Sequence, residues 1–282
     1  IALLTVAPSL TAQSVDSVHP EDIPRPMPGD LGLAGSPTPD IARFLAVRTA
    51  SDASLSRDGA QLSFITSTTG QPQLWAVSLA SGYPAIPAPR QLTFTPHGVT
   101  TQSWSPAGGW IFYAADRAGD EREGFYLISP DGAEERELLP PSDAFRRFGA
   151  WSPDGRHIAY TSTERDGIDF DVYVMDIAPD GTAGAPRRVL ESTGAVSVSA
   201  WGPDGGALVL ARARSETAND LLLLDLGSSH LDTLFAPDSA AAVRGSAWTP
   251  DGRGFYLATD DGRDASGLAY YDTTARALTW IA

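Results

Sequence analysis

Trp151-Ser-Pro-Asp-Gly-Arg-His-Ile-Ala-Tyr-Thr-Ser162 is the stretch whose reading decides the fold. An aromatic residue ends one strand, four residues turn the chain, and a short apolar strand leaves. Proline presets φ for the second position of a tight turn. Aspartate tolerates the next position and can bond its own backbone. Glycine takes the φ > 0 position that closes a hairpin with a bulge. The tryptophan four residues before the glycine lies on the incoming strand, where it can wedge between neighbouring sheets.

Working outward, the signature recurs. It reads Leu55-Ser-Arg-Asp-Gly59, Trp104-Ser-Pro-Ala-Gly108, Trp201-Gly-Pro-Asp-Gly205 and Trp248-Thr-Pro-Asp-Gly252. A repeat of 40 to 50 residues carrying turn chemistry predicts propeller blades or an array. Around the opening stretch, Phe148–Trp151, Arg156–Thr161, Phe170–Ile177 and Arg187–Leu190 are predicted strands, separated by Asp166-Gly167 and Pro179-Asp180-Gly181 turns. Four strands per repeat is the propeller unit. The LLLLDL run at 221–226 is apolar on both faces, as a strand covered on both sides requires. The predicted fold is therefore all-β: a β-propeller of four-stranded antiparallel blades near 50–95, 96–145, 146–194, 195–242 and 243–282. A hairpin-rich sandwich would lack the fixed spacing.

Composition narrows the function. Apolar residues make up 42% of the 282, enough for a packed core. A net charge of −15 argues against nucleic acid, because phosphate contacts need a basic face. All the basic residues are arginine, and with no cysteine there can be no disulfide, thiolate metal site or cysteine nucleophile. Ile1–Ala7 is apolar and Pro8–Ala12 ends in small residues, which together resemble the tail of a secretory signal peptide cleaved after Ala12. Pro8 and Ser9 cut that run too short for a membrane span. Export, to the periplasm or outside the cell, is the expected localisation. Gln13–Thr38 reads as a Pro/Ser-rich linker, and Thr38-Pro39-Asp40 as the start of a short helix.

Two resemblances enter here. WSPDGRHIAYTS at 151–162 resembles the TolB-like propeller repeat of periplasmic and secreted proteins. Residues 41–75 (IARFLAVRTASDASLSRDGAQLSFITSTTGQPQLW), 90–94 (RQLTF) and 104–127 (WSPAGGWIFYAADRAGDEREGFYL) are similar to the N-terminal propeller of the prolyl oligopeptidase family of serine peptidases. The Asp-Arg-x-Gly-Asp-Glu string is the most specific element. This resemblance implies a seven- or eight-bladed ring followed by a catalytic α/β-hydrolase domain. Five repeats are present, so the ring is expected to be incomplete and the chain truncated before that domain.

Chemistry within the chain is sparse. The Gly-x-Ser-x-Gly elbow of such hydrolases is not in the sequence. His19, His97, His157 and His230 do not follow a Ser and Asp in hydrolase order, so no catalytic residue is assigned. No cofactor is implied. The carboxylates at Asp166, Asp169 and Asp171 and at Asp260, Asp261 and Asp264 lack the spacing of a calcium loop and are read as turn caps, so no metal is assigned. Arg146-Arg147 and Arg187-Arg188 are read as solvated strand ends. Asp116, Arg117, Asp120 and Glu121 form a charged run between two strands; it reads as a solvated hairpin loop or as a gating or interdomain loop. The expected partners are a peptide substrate, met through the hydrolase domain, and that domain itself, with no nucleic acid and no membrane span. The expected function is the substrate-gating, non-catalytic propeller of an exported peptidase that hydrolyses short peptides. The alternative is a stand-alone periplasmic propeller serving as a protein-binding scaffold.

Overall fold

The computed structural model describes residues 49–81, 87–117, 119–237 and 240–281, with the side chain of position 246 left aside. The expected signal peptide, linker and short helix lie outside these residues. Five four-stranded antiparallel sheets follow one another in chain order. Blade 1 is β1 (Ala50–Leu55), β2 (Gln61–Thr66), β3 (Gln73–Ser78) and β4 (Arg90–Gln91). Blade 2 is β5 (Val99–Trp104), β6 (Ile111–Ala115), β7 (Gly124–Ile128) and β8 (Glu135–Leu139). Blade 3 is β9 (Arg146–Trp151), β10 (His157–Ser162), β11 (Asp171–Asp176) and β12 (Arg187–Leu190). Blade 4 is β13 (Val196–Trp201), β14 (Ala207–Ser215), β15 (Ala218–Asp225) and β16 (Leu231–Phe235). Blade 5 is β17 (Val243–Trp248), β18 (Gly254–Thr259), β19 (Gly267–Asp272) and β20 (Ala277–Trp280). The first strands pack on one another, β1 on β5, β9 on β13 and β13 on β17, and so line the axis. The molecule is a β-propeller.

The repeated turn builds each inner hairpin in one way. In blade 3, Gly155 N donates to Ser152 O at 2.9 Å, and Gly155 has φ +68°. Asp154 Oδ1 accepts from Ser152 Oγ at 2.6 Å and Arg156 N at 3.0 Å. The same turn appears where the motif was not read as a strand-opening signal, at Ser129–Gly132 between β7 and β8. These turns define one end of the propeller, the turn end. The β6–β7 and β10–β11 connections and the blade-to-blade crossings lie at the other, the loop end.

Strand alternation sends one set of residues to the preceding blade and the other to the following one. In β15, Leu222 and Leu224 join the core between blades 3 and 4, while Leu221 joins that between blades 4 and 5. Trp104, Trp151 and Trp201 are buried at equivalent positions. Trp151 Nε1 donates to Ser103 O at 3.4 Å and Trp201 Nε1 to Ala150 O at 3.0 Å, so each indole latches onto the preceding blade's inner strand. Core clusters join blades 1–2, 2–3, 3–4 and 4–5; among the described residues none joins blade 5 to blade 1.

Candidate functional site at the loop end

The charged run leaves β6 at Ala115 and rejoins the sheet at Gly124. Most of its charge is spent on holding its own shape. Asp116 Oδ1 accepts from Gly119 N at 3.3 Å; Asp120 Oδ1 accepts from Arg117 N at 3.2 Å and Arg122 N at 3.0 Å. Those amides, with the nearby Arg117 guanidinium at 3.5 Å, hold the Asp120 carboxyl below the usual range. Arg117 also lies 4.0 Å from Asp143 on the next crossing. Glu121 sits at φ +58°, a left-handed conformation uncommon for a residue with a Cβ.

Glu121 and Glu123 border a cavity of about 470 Å³ between blades 2 and 3. Its other walls are Phe145, Arg146 and Arg147 from the start of β9, and Thr163 and Phe170 from the β10–β11 hairpin. The Arg122 guanidinium lies 3.4 Å from the Phe145 ring centre, and Arg147 4.6 Å from that of Phe170. Such contacts keep a cation in place without neutralising it. Burial pushes the Glu123 carboxyl above its ordinary range, against a 2.6 Å hydrogen bond from Thr100 Oγ1 that favours the charged form. At the rim, Ile168 is 77% exposed, an apolar side chain held out to solvent by a tight hairpin. The cavity thus offers carboxylates, guanidinium groups and aromatic faces together, a mixture suited to a short polar chain with apolar side groups.

The structure therefore divides the candidate loop. Asp116, Arg117 and Asp120 fold it, and Glu121 faces the cavity. Glu123, Arg146, Arg147 and Phe170 belong to the same cavity but were not singled out as a site, since they come from three separate segments. One reading is corrected. Arg146 is buried, not a solvated strand end: its Nη1 donates to Pro140 O at 2.6 Å and Glu123 O at 3.4 Å. Arg188 is exposed, as a solvated strand end would be, yet its guanidinium lies 3.2 Å from the fully buried Asp171, which also takes the Arg165 Nε at 2.8 Å and Ser192 N at 2.9 Å. Burial pushes the Asp171 carboxyl up, but these partners prevail and hold it below the usual range. Arg165 also reaches Asp166 at 2.8 Å and Asp169 at 3.3 Å, so a guanidinium sits among the three carboxylates. Asp166 Oδ1 caps Ile168 N and Asp169 N, the turn-capping role read from the sequence. His157 Nδ1 lies 2.8 Å from Asp176 Oδ1, with its ring beside Trp201. Among the described residues no helix is long and apolar enough to cross a membrane.

No family model matches the chain, and no curated protein matches it. Solved structures do. TolB from Acinetobacter baumannii superposes with a TM-score of 0.59 at 18% identity over 82% of this chain and 53% of that one. A puromycin hydrolase complexed with PGG gives 0.60 at 18% over 82% and 38%. Prolyl oligopeptidase B from Galerina marginata, bound to a 25mer macrocyclization substrate, gives 0.61 at 12% over 83% and 36%. At such identities the likeness is one of fold. The chain spans about half the length of that TolB and a little over a third of each of the two peptidases.

Proposed function

We propose that this chain is the propeller portion of an exported serine peptidase of the prolyl oligopeptidase family, and that it restricts access to an active site carried elsewhere in the protein. The observation that carries the reading is the conjunction of fold and loop end. The fold is one that a puromycin hydrolase and a prolyl oligopeptidase share over a little over a third of their own length. On the same fold, the Asp-Arg-x-Gly-Asp-Glu loop frames a cavity of peptide-compatible chemistry. In this reading the propeller admits short chains and excludes folded proteins by size. The Ser-His-Asp chemistry and its oxyanion hole belong to the α/β-hydrolase domain. Glu121, on its left-handed turn, contacts the peptide or that domain, while Asp116, Arg117 and Asp120 keep the loop in shape.

The test is to clone the reading frame through its natural stop codon and treat the purified product with a fluorophosphonate probe. Labelling of one serine in a downstream Gly-x-Ser-x-Gly segment, with cleavage of short peptidyl substrates but not of a folded protein, is the expected result. A frame that stops after a closing blade, with no labelling, would overturn the reading and leave the TolB-like scaffold in its place.

A further inference from the structure

A second cavity, of about 270 Å³, lies at the loop end where blades 3, 4 and 5 meet. Two arginines from different blades line it: Arg147 near the start of β9 and Arg244 near the start of β17. Ser197 of β13 and Ser215, at the end of β14, supply hydroxyls, and the remaining wall includes the alanines 195, 211, 213, 218 and 242. Asn219 also lines it, but its amide is already committed: Nδ2 donates to Val243 O at 3.2 Å and Oδ1 accepts from Val243 N at 2.8 Å, which pins blade 5 to blade 4.

The arginines are the part that a ligand would meet. This chain carries 35 acidic residues against 20 arginines. Arg117, Arg136, Arg165, Arg188, Arg212 and Arg276 each have one within 4 Å. Arg147 and Arg244 have none among the described residues, as is also true of Arg57, Arg90, Arg122, Arg146, Arg156 and Arg187; what matters here is that these two come from different blades to one cavity beside two serines. Arg147 instead rests on the Phe170 ring, a contact that fixes its position, and its charge also acts on the Glu123 carboxyl; it keeps guanidinium donors for a ligand. One carboxylate, Glu216, shares the wall, and Glu123 acts on Arg147 from beside it, so the positive charge left in the cavity is at most one in a strongly negative protein. That balance favours a monoanion over a phosphate dianion, which the surrounding field repels more strongly. A planar carboxylate also suits the fork geometry of guanidinium donors. The alanine wall leaves room for one small apolar group beside it.

We propose that this cavity is a carboxylate site that takes the free C-terminus of a short peptide, with Arg147 and Arg244 on the carboxylate and the alanine wall against the last side chain. That the ligand is a peptide rests on the function proposed above; the recognition of a carboxylate does not.

Isothermal titration of the chain with acetyl-tetraalanine acid and with its C-terminal amide tests the site. The acid is expected to bind at least about tenfold more tightly than the amide, since the discriminating contacts are charge-assisted. Arg147→Gln and Arg244→Gln should each abolish the difference, while Arg187→Gln, on an outer strand, should leave it intact. Circular dichroism of each variant establishes that it is folded. Equal binding of acid and amide, no binding of either, or inorganic phosphate competing better than acetate would overturn the proposal. Acetate binding with the same arginine dependence, but no binding of the peptide acid, would keep the carboxylate site and count against the peptidase reading. An active full-length peptidase indifferent to Arg147→Gln would do the reverse.

Discussion

The indole N–H of Trp201 crosses from blade 4 to the Ala150 carbonyl of blade 3 at 3.0 Å. Phenylalanine fills much of the same space but cannot donate, so Trp201→Phe should cost about 1 kcal/mol plus some packing. Trp248 occupies the equivalent site in blade 5, yet its Nε1 has no partner. Trp248→Phe should therefore cost less, and urea unfolding of the two variants side by side checks the ranking. The turn aspartates carry a second prediction. Ser56, Ser129, Ser152 and Thr249 hydroxyls, with the main-chain N–H two residues on, hold Asp58, Asp131, Asp154 and Asp251 below the usual carboxylate range. A depressed folded pKa means the unfolded chain binds protons first as the medium acidifies. The stabilisation is present above the unfolded value of about 3.9 and is lost as pH falls through the folded one. Unfolding midpoints measured from pH 6 to pH 3 should fall, and Asp154→Asn, which keeps an acceptor but cannot titrate, should flatten part of that fall. A steeper curve for the asparagine variant would contradict this account.

At the scale of elements, stacking demands clearance between neighbouring sheets. Gly149 lies on β9 where a Cβ would meet Val198 Cβ of β13 at 2.4 Å and Ala159 O at 2.9 Å. Nothing at such a strand–strand contact can swing aside, so Gly149→Ala should cost about 1–3 kcal/mol by overpacking, visible as a lowered Tm. The crossing from blade 3 to blade 4 depends instead on Asp171. Truncating it to alanine removes one of the three carboxylates on Arg165, leaves Arg188 with Glu191 alone and frees Ser192 N; with both guanidinium groups part-exposed and still paired, the loss should be about 1–3 kcal/mol. Asp171→Ala should thus lower Tm clearly, whereas Arg187→Ala on the exposed edge of the same blade should be near neutral. The strand order of these blades was legible because alternation and turn chemistry are local. The extents were less so: β15 starts at Ala218, three residues before the apolar 221–226 run, and its partner β14 reaches Ser215 at the loop end. Arg212 and Arg214 extend the ladder by pairing with Asp220, a cross-strand partnership that no hydrophobic pattern announces.

Across the whole molecule, the five-fold repeat was legible because the turn recurs at nearly constant spacing. The site was not, because its parts are not close in sequence. Glu123, Arg147 and Phe170 meet only once blades 2 and 3 stack, and Arg147 meets Arg244 only across three blades. A pair of adjacent arginines has no signature that separates a buried Arg146 from an available Arg147; burial alternates with the strand, and the register decides it. The same register governs the two outermost faces. Ala159 in blade 3 and Val209 in blade 4 are covered by the next blade. The equivalent in blade 5 is Tyr256, 43% exposed, beside Leu268 and the 50% exposed Ile281. At the other side, Leu55 of blade 1 is 56% exposed. Each of these faces is a stacking surface with the composition of the interfaces inside the molecule, and apolar patches of that size favour association. The chain of residues 1–282 should therefore self-associate as concentration rises, and Tyr256→Glu with Leu268→Glu should suppress this without loss of β-structure. Small-angle scattering of the dilute protein should give an open arc. A closed disc, with protection of the β1 and β20 amides from exchange, would show that blade 5 packs on blade 1 and that five blades suffice for the ring.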